Sequence, residues 1–304
     1  MHRIAIGIPT YKRPEMLKKL IQSIIESHLD TGLLKEVNLL IVDNDRDKSA
    51  EKTVNEFKET IDPFIKIYYC CFPQKGLANV RNHIIIKSIQ LVPDFLVFID
   101  DDEYVTINWI SELVKVIVEK NADAVRGPVL AQLDTNASKS IRALFVREKY
   151  ADKTQLSKWS TGNLMLRVST LVKNEIWFDS RFNDIGSEDY FFGIQMMKKG
   201  ACIYWAANAL VYENIPEKRA TLQWIIKRTI REATTYTYIQ KIEKKYAELI
   251  KKLFISIYYT ILGGMASLFC LLFTNRFRYW GILKITEGVG GIVGLLNGKY
   301  REYK

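Results

Sequence analysis

An almost wholly apolar run at residues 95–99 leads directly into four consecutive acids, Asp100-Asp101-Asp102-Glu103. A short apolar run of β-branched and aromatic residues predicts a strand buried on both faces of a parallel sheet. Ligands of open α/β sheets bind beyond the carboxyl ends of such strands. Carboxylates crowded there repel one another unless water or a cation offsets their charge. The pattern therefore predicts either a cation site, with Asp100 and Asp102 pointing the same way along an extended chain, or a solvated acidic turn.

Strand and helix patterns alternate through the first 130 residues. Strands are predicted at 4–8, 37–42, 64–70 and 95–99, and helices from Pro14, at 49–60 and at 76–91. Repeated βα units imply right-handed crossovers and a largely parallel sheet. Thr10 and Asp43 follow the first two strands, so we expect them at the same sheet edge as the acidic run. Residues 130–160 are polar and irregular, which predicts a mobile loop or lid.

The character of the chain changes near residue 216, which predicts two domains, 1–215 and 216–304. Residues 253–273 carry no charge, and a helix of that length is about 30 Å long, enough to cross a hydrocarbon core. Basic residues flank this segment on both sides, which argues against a single crossing. We expect a membrane-associated hairpin on the cytoplasmic face. The alternative is a soluble helix pair packed on the sheet or in a dimer.

Lys and Arg outnumber Asp and Glu by 44 to 34, a formal net charge of +10. Such a surplus favours anionic partners. Much of it lies near the apolar C-terminal region, which indicates a membrane surface rather than nucleic acid. The four cysteines lack a disulfide spacing, so we expect reduced thiols in a cytosolic setting.

Six motifs together resemble those of family 2 glycosyltransferases, inverting enzymes of the GT-A fold. In chain order they are Ile6-Gly-Ile-Pro-Thr-Tyr-Lys-Arg-Pro14, Leu40-Ile-Val-Asp43, Gly76-Leu-Ala-Asn-Val-Arg81-Asn82, Phe98-Ile-Asp100-Asp-Asp102-Glu103, Thr161-Gly-Asn163 and Gly186-Ser-Glu-Asp189. The resemblance covers about residues 3–235. It implies a mostly parallel sheet flanked by helices, a UDP-, GDP- or dTDP-linked sugar donor, and a glycan or polyprenyl- or lipid-linked acceptor.

The resemblance also implies roles for single residues. Asp102 is the expected direct ligand of Mn²⁺ or Mg²⁺, with Asp100 accepting from ribose or sugar hydroxyls or joining the metal. Arg81 is suited to a forked contact with the diphosphate or base edge, unless it forms a surface salt bridge. The candidate donor-binding residues are Pro9, Thr10, Tyr11, Arg13, Asp43, Arg81, Asp100 and Asp101.

Asp189 is the predicted catalytic base. An inverting transfer needs a carboxylate that accepts the proton of the acceptor hydroxyl as its oxygen attacks the anomeric carbon. Glu188 is the alternative base or an orienting neighbour. Taken without the other motifs, this acidic pair also fits an ordinary helix start, because acids complement the positive end of the helix dipole.

Two positions depart from the family pattern. Many GT-A enzymes place a histidine metal ligand after the last core strand, where this chain has Glu213. Glu213 is expected either to serve the metal or to pair with Arg219 or Arg228. The Gln-x-x-Arg-Trp motif of processive synthases is incomplete, which predicts one sugar added per event. Arg228 and Arg231 share a helix face and either reach the diphosphate or lie in solvent or among lipid headgroups.

Two other functions compete with sugar transfer. A catalytically inactive GT-A-like module would keep affinity for nucleotide or glycan without turnover, but the presence of Asp102 and Asp189 argues against it. A haloacid-dehalogenase-type phosphatase needs its Asp-x-Asp motif directly after the first strand. Here the acids follow the fourth predicted strand, so we discount that function.

Overall fold

The computed structural model describes residues 1–59, 62–157, 160–269 and 275–298. Its residues form two compact units. The first unit comprises Met1–Gln132, Arg147–Asn183 and Glu188–Asn214, and the second comprises Leu133–Val146, Asp184–Ser187 and Ile215–Lys304. The sequence-based domains, 1–215 and 216–304, differ from these units because two short segments before residue 215 cluster with the C-terminal helices.

The strands form one large and one small sheet. Within the described ranges they are β1 (His2–Thr10), β2 (Leu34–Asp43), β3 (Ile65–Cys71), β4 (Phe95–Phe98), β5 (Glu103–Val105), β6 (Ala124–Arg126), β7 (Val129–Leu133), β8 (Gln155–Leu156), β9 (Leu164–Arg167), β10 (Ile203–Trp205) and β11 (Val211–Ile215). The large sheet has the order β3-β2-β1-β4-β9-β6-β10-β8, and the small sheet has the order β5-β11-β7. In the large sheet β8 and β9 run against their neighbours and the other pairs are parallel, so the sheet is mostly parallel as expected.

The helices largely follow the predicted order. They are α1 (Pro14–Ile25), α2 (Glu51–Lys58), α3 (Leu77–Gln90), α4 (Trp109–Glu119), α5 (Lys139–Ala143), α6 (Val168–Asn174), α7 (Glu188–Lys198), α8 (Leu222–Ile242), α9 (Tyr246–Phe269) and α10 (Asn275–Leu295). The prediction of an irregular segment at 130–160 is wrong in part, because this segment contains most of β7 and all of α5 and β8. These elements are two to five residues long, too short to show a strand or helix pattern in the sequence.

The sheet of the first unit carries an apolar core on each face. Side chains alternate along β1, so Ile4, Ile6 and Ile8 enter one core while Ala5 enters the other. The first core is completed by α1, α2 and α4, and the second by α3, α6 and α7. This two-sided burial explains why the strands read as uninterrupted apolar runs and why polar groups are found at their carboxyl ends.

The second unit contains α5, α8, α9 and α10, with α10 packed on both α8 and α9. Glycines allow close contact: a Cβ added at Gly263 of α9 would lie 2.5 Å from the Gly281 carbonyl oxygen of α10. The Lys241 ammonium donates to the carbonyls of Gly294 and Leu295 at 2.9 and 2.7 Å, which stabilises the end of α10.

One helix segment in the described residues, Tyr246–Ser267, is long and apolar enough to cross a membrane by length and composition. The expected apolar stretch at 253–273 falls mostly within α9, and its residues 270–273 lie outside the described ranges. The helix pair expected at the C-terminus corresponds to α9 and α10.

Candidate active site

The acidic run forms a turn at the end of β4. The Glu103 backbone N–H donates to the Asp100 carbonyl at 3.1 Å, and β5 begins at Glu103. The expectation that Asp100 and Asp102 point the same way along an extended chain is therefore wrong in its geometry. Asp100 pairs with Arg81 at 3.2 Å, whereas Asp102 shares the Arg13 guanidinium with Asp101.

Residues at the end of β1 hold two of these acids. Thr10 donates from its hydroxyl to Asp101 at 2.9 Å. Arg13, which immediately precedes α1, donates from Nη1 to Asp101 and to Asp102 at 3.0 Å each. The first motif and the acidic turn thus lie side by side, because β1 and β4 are parallel neighbours that end at the same sheet edge.

Arg81 joins the acidic turn to the start of α7. Its guanidinium is buried and forms ion pairs with Asp100 and Glu188. Although burial opposes the charge, these two carboxylates raise the pKa of Arg81. The alternative of a surface salt bridge is wrong. Arg81 reaches this position from α3, which begins after Gly76 (φ 108°), where an added Cβ would lie 2.1 Å from Asn183 Cγ.

The predicted acidic pair begins α7. Burial raises the pKa of Glu188 to about 7, an effect that Arg81 opposes and Asp189 reinforces. Asp189 is half-buried, accepts the Tyr190 backbone N–H at 2.8 Å and interacts electrostatically with Arg81. Arg81 therefore connects a carboxylate of the acidic turn with one at the start of α7. Glu188 forms the ion pair with Arg81, and Asp189 lies outside that pair.

The acids at the turn suit a divalent cation only if other oxygens help to hold it. Burial raises the pKa of Asp102 to about 7, and repulsion from Asp100 and Glu213 adds to the shift. The Arg13 guanidinium opposes this rise in the pKa of Asp102. In the part of the chain that the structure describes, no group of three or more His, Cys, Asp or Glu side chains could hold a metal by itself. Oxygen donors from a bound diphosphate would complete such a site.

Asp43 organises the loop after β2. Its carboxylate is fully buried and accepts from the backbone N–H groups of Asp45 and Ala50, both at 2.9 Å, and from the Tyr69 hydroxyl at 3.0 Å. Burial and Asp43 both raise the pKa of Tyr69. The hydrogen bond from Asp43 to a nucleotide base stays a prediction.

The remaining predicted site residues have varied surroundings. Pro9 is buried in β1, and Tyr11 is exposed next to it with the Lys12 ammonium 5.5 Å from its ring centre. Glu213 forms an ion pair with Arg147, a partner that the sequence did not indicate. Its strand β11 lies beside β5, which places Glu213 opposite Glu103.

The two cationic candidates of α8 belong to the second unit. Arg228 Nε donates to Glu232 at 2.6 Å, and the Arg228 guanidinium lies 5.4 Å from the centre of the Trp224 ring. The contact of Arg228 and Arg231 with a diphosphate stays a prediction.

The buried side chain of Asn163 joins three segments of the first unit through hydrogen bonds. It is fully buried, accepts from Trp109 Nε1 at 2.6 Å and donates to the carbonyls of Pro128 and Ala209.

Sequence reasoning missed Arg126 and Arg147. Arg126 interacts electrostatically with Asp189, and Arg147 forms an ion pair with Glu213. The sequence signal for Arg126 is its place directly after the short apolar run Ala124-Val125, at the end of a strand of the sheet.

Comparison with solved structures identifies the fold. Staphylococcus aureus TarS 1–349 in complex with UDP-GlcNAc matches with a TM-score of 0.57 and 13% identity, over 98% of this chain and 93% of that chain. GalNAc-T7 with UDP, GalNAc and Mn²⁺ matches with a TM-score of 0.55 and 12% identity, over 78% of this chain and 51% of that one. The fold is that of the GT-A glycosyltransferases.

Sequence comparison identifies the family. The family model "Glycosyl transferase family 2" matches residues 5–171, and "Glycosyl transferase family group 2" matches residues 95–284. The succinoglycan biosynthesis protein ExoM of Rhizobium meliloti is 30% identical over 235 residues, 77% of this chain and 74% of that protein. The chain belongs to glycosyl transferase family 2, and it is a nucleotide-sugar glycosyltransferase.

Proposed function

We propose that the chain transfers one sugar per event, with inversion, from a nucleoside-diphosphate donor to a hydroxyl of a glycan or lipid-linked acceptor at the cytoplasmic membrane face. Relatives support the donor class, since matching structures contain UDP-GlcNAc, UDP, or UDP and GalNAc. The match to a succinoglycan biosynthesis protein supports a polysaccharide or its precursor as acceptor.

One observation carries the proposal. The buried guanidinium of Arg81 binds Asp100 of the acidic turn and Glu188 at the start of α7. The groups proposed for the donor and for the acceptor thus meet at one edge of the sheet. A bound diphosphate would meet cations there, and the acceptor hydroxyl would meet the carboxylate of Asp189.

Each residue then has a defined task. Asp189 accepts the proton of the acceptor hydroxyl while its oxygen bonds to the anomeric carbon, and the electrons of the breaking sugar–phosphate bond pass to the departing diphosphate. Glu188, held by Arg81, orients this end of α7. Asp102, aided by Asp100 and Glu213, would hold Mn²⁺ or Mg²⁺, which when bound neutralises charge on the diphosphate.

The membrane part of the proposal rests on α9. Eight of its described side chains are exposed and apolar or aromatic: Tyr246, Ile250, Leu253, Phe254, Ile257, Tyr258, Ile261 and Met265. Their spacing places them on one side of the helix, and exposed apolar surface of this extent marks an interaction site. Lys244, Lys245 and Lys251 are exposed near its beginning and would face anionic headgroups.

A donor screen tests the catalytic part. UDP-, GDP- and dTDP-sugars are mixed with the full chain and with Mn²⁺, Mg²⁺ or EDTA, and thermal shift and donor hydrolysis are both read. We expect one nucleotide class to raise the unfolding temperature and its donor to be hydrolysed only with metal. Donor binding without hydrolysis or transfer under every condition would favour the inactive binding module instead.

A further inference from the structure

A buried arginine nitrogen without a partner lies at the end of β6. Arg126 Nε is shielded from solvent, and no atom in the described part of the chain accepts its hydrogen. Backbone pairing places Arg126 beside Leu164 of β9 and Trp205 of β10, at the carboxyl edge of the parallel strands. Leaving a buried charged donor unsatisfied costs free energy. The arrangement indicates that a bound ligand supplies the missing hydrogen-bond acceptor for the Arg126 guanidinium.

Aromatic rings fix the orientation of this guanidinium. The Arg126 Cζ atom lies 5.8 Å from the centre of the Trp205 ring, and Tyr150 meets Trp205 edge-on with ring centres 5.4 Å apart. Contact with an aromatic ring uses the face of a guanidinium and leaves its N–H edge available. That edge has the forked geometry that matches phosphate or carboxylate oxygens.

Charges of both signs surround Arg126. Burial lowers the pKa of Arg126 and the nearby Arg147 lowers it further, while Asp189 and Glu103 oppose the shift. Arg147 is itself paired with Glu213. Arg126 thus interacts electrostatically with the proposed catalytic base, and its unpartnered Nε is a donor that an oxyanion would satisfy.

We propose that Arg126 binds an oxyanion carried by the acceptor, a phosphate or a carboxylate, and so makes the enzyme select anionic acceptors. The inference rests on the proposed function, because it uses the place of Asp189 to define the acceptor side. The competing source of the anion is the diphosphate of the donor. Arg81 and Arg13, which contact the acidic turn, are the candidates for that group.

The test uses three acceptor probes: α-glucose 1-phosphate, glucuronate and neutral methyl α-glucoside. Their binding to the full chain is followed by ligand-observed NMR with and without the nucleoside diphosphate, and transfer to them is measured with the donor found in the screen. For the wild-type chain we expect tighter binding of at least one anionic probe than of the neutral one. Arg126→Gln should weaken that binding about tenfold or more, and Arg126→Lys, which keeps the charge without the fork, should weaken it less.

Arg167→Gln is the matched control. Arg167 also contacts an aromatic ring, with its Cζ 5.3 Å from the centre of Phe95, but its guanidinium donates to the carbonyls of Ala122 and Ile117. It lies at the opposite end of β9, beside the start of β4. The control removes one positive charge from the same sheet and should leave the binding of all probes unchanged.

Several outcomes would overturn the inference. Equal affinity of the wild-type chain for charged and neutral probes would do so. An equal loss of kcat for all probes in Arg126→Gln would make Arg126 a positioning residue for Asp189. Weaker binding of the nucleoside diphosphate by that variant would assign the cation to the donor. A wild-type chain that binds anionic probes through Arg126 but hydrolyses no donor would contradict the proposed function alone.

Discussion

The two units of the molecule use buried and exposed positions in opposite ways. The first unit buries charged side chains at one sheet edge, among them Arg81, Asp101, Asp102, Glu103 and Glu188. The second unit buries glycines and small polar groups between α9 and α10 and exposes the apolar side of α9. Burying charges costs stability, and exposing apolar surface costs solubility. We infer that a charged ligand offsets the buried charges of the first unit and that an apolar environment covers the exposed side of α9 in the second.

The largest expected effect concerns the base of the first unit. Asp189→Asn should lower transfer by ~10²–10⁴, because general-base assistance has that value, while donor binding is kept. Rates of transfer and a thermal shift with the nucleotide measure the two properties separately. Asp184→Asn, the same change at an exposed position five residues earlier, is the control and should leave both unchanged. Normal turnover of Asp189→Asn would refute its assignment as the base.

The buried ion pairs of the first unit give the next effect. Arg81→Leu leaves Glu188 and Asp100 without their shared cation, and breaking a buried pair in this way typically costs ~3–5 kcal/mol. Urea unfolding should therefore show a large loss of stability. Arg46→Leu, at an exposed position of the same unit, should change little. In the double variant Arg81→Leu, Glu188→Leu the uncompensated buried acid is also removed, so part of the stability should return. A single variant as stable as the wild type would mean that the pairs are not formed in solution.

The elements of the first unit could be predicted from sequence because their cores are made of regular apolar patterns. The strand at β4 and the helix from Pro14 have local signals, and both lie where they were expected. The contacts of the site depend on long-range packing. Arg147 reaches Glu213 across 66 positions, and the turn at Asp100 separates Asp100 and Asp102, which local alternation would align.

The exposed side of α9 gives the test of the second unit. Phe254→Glu with Ile261→Glu should abolish most binding to vesicles that contain anionic lipid, since burying each such side chain contributes ~1.5–3 kcal/mol. Both side chains are largely exposed, at 67% and 58%, so the fold should tolerate the change. Vesicle flotation is the measurement. Val92→Glu with Ile107→Glu, an equally exposed apolar pair in the first unit, should float like the wild-type chain. Equal flotation of all three proteins would contradict the membrane surface.

Two neighbouring glycines of α9, Gly263 and Gly264, test whether α9 packs closely on α10. Gly263→Ala should destabilise the helical unit by ~1–3 kcal/mol, because the added Cβ would lie 2.5 Å from a backbone oxygen of Gly281. At Gly264 nothing lies within 4 Å of an added Cβ. Gly264→Ala should therefore stabilise by up to ~1 kcal/mol through helix propensity. Thermal unfolding of both variants measures the difference, and equal stability would mean that α9 and α10 do not pack as described.

The smallest expected effect is a pH dependence in the first unit that involves no site acid. His83 stacks on Phe72 with ring centres 4.2 Å apart, and its Nε2 lies 3.2 Å from the Cys70 sulfur. Burial, with help from Lys87, lowers the pKa of His83 below its ordinary value of about 6.5. Because the unfolded chain binds the proton first, this histidine contributes stability above about pH 6.5 that is lost as the pH falls towards its folded pKa. Asp102 and Glu188, whose pKa values are raised to about 7, contribute with the opposite sign in this range, so the comparison with the wild-type chain isolates His83. Between about pH 5.5 and 7.5 the unfolding temperature of His83→Gln should rise less with pH than that of the wild type, and an identical pH profile would show that His83 does not contribute.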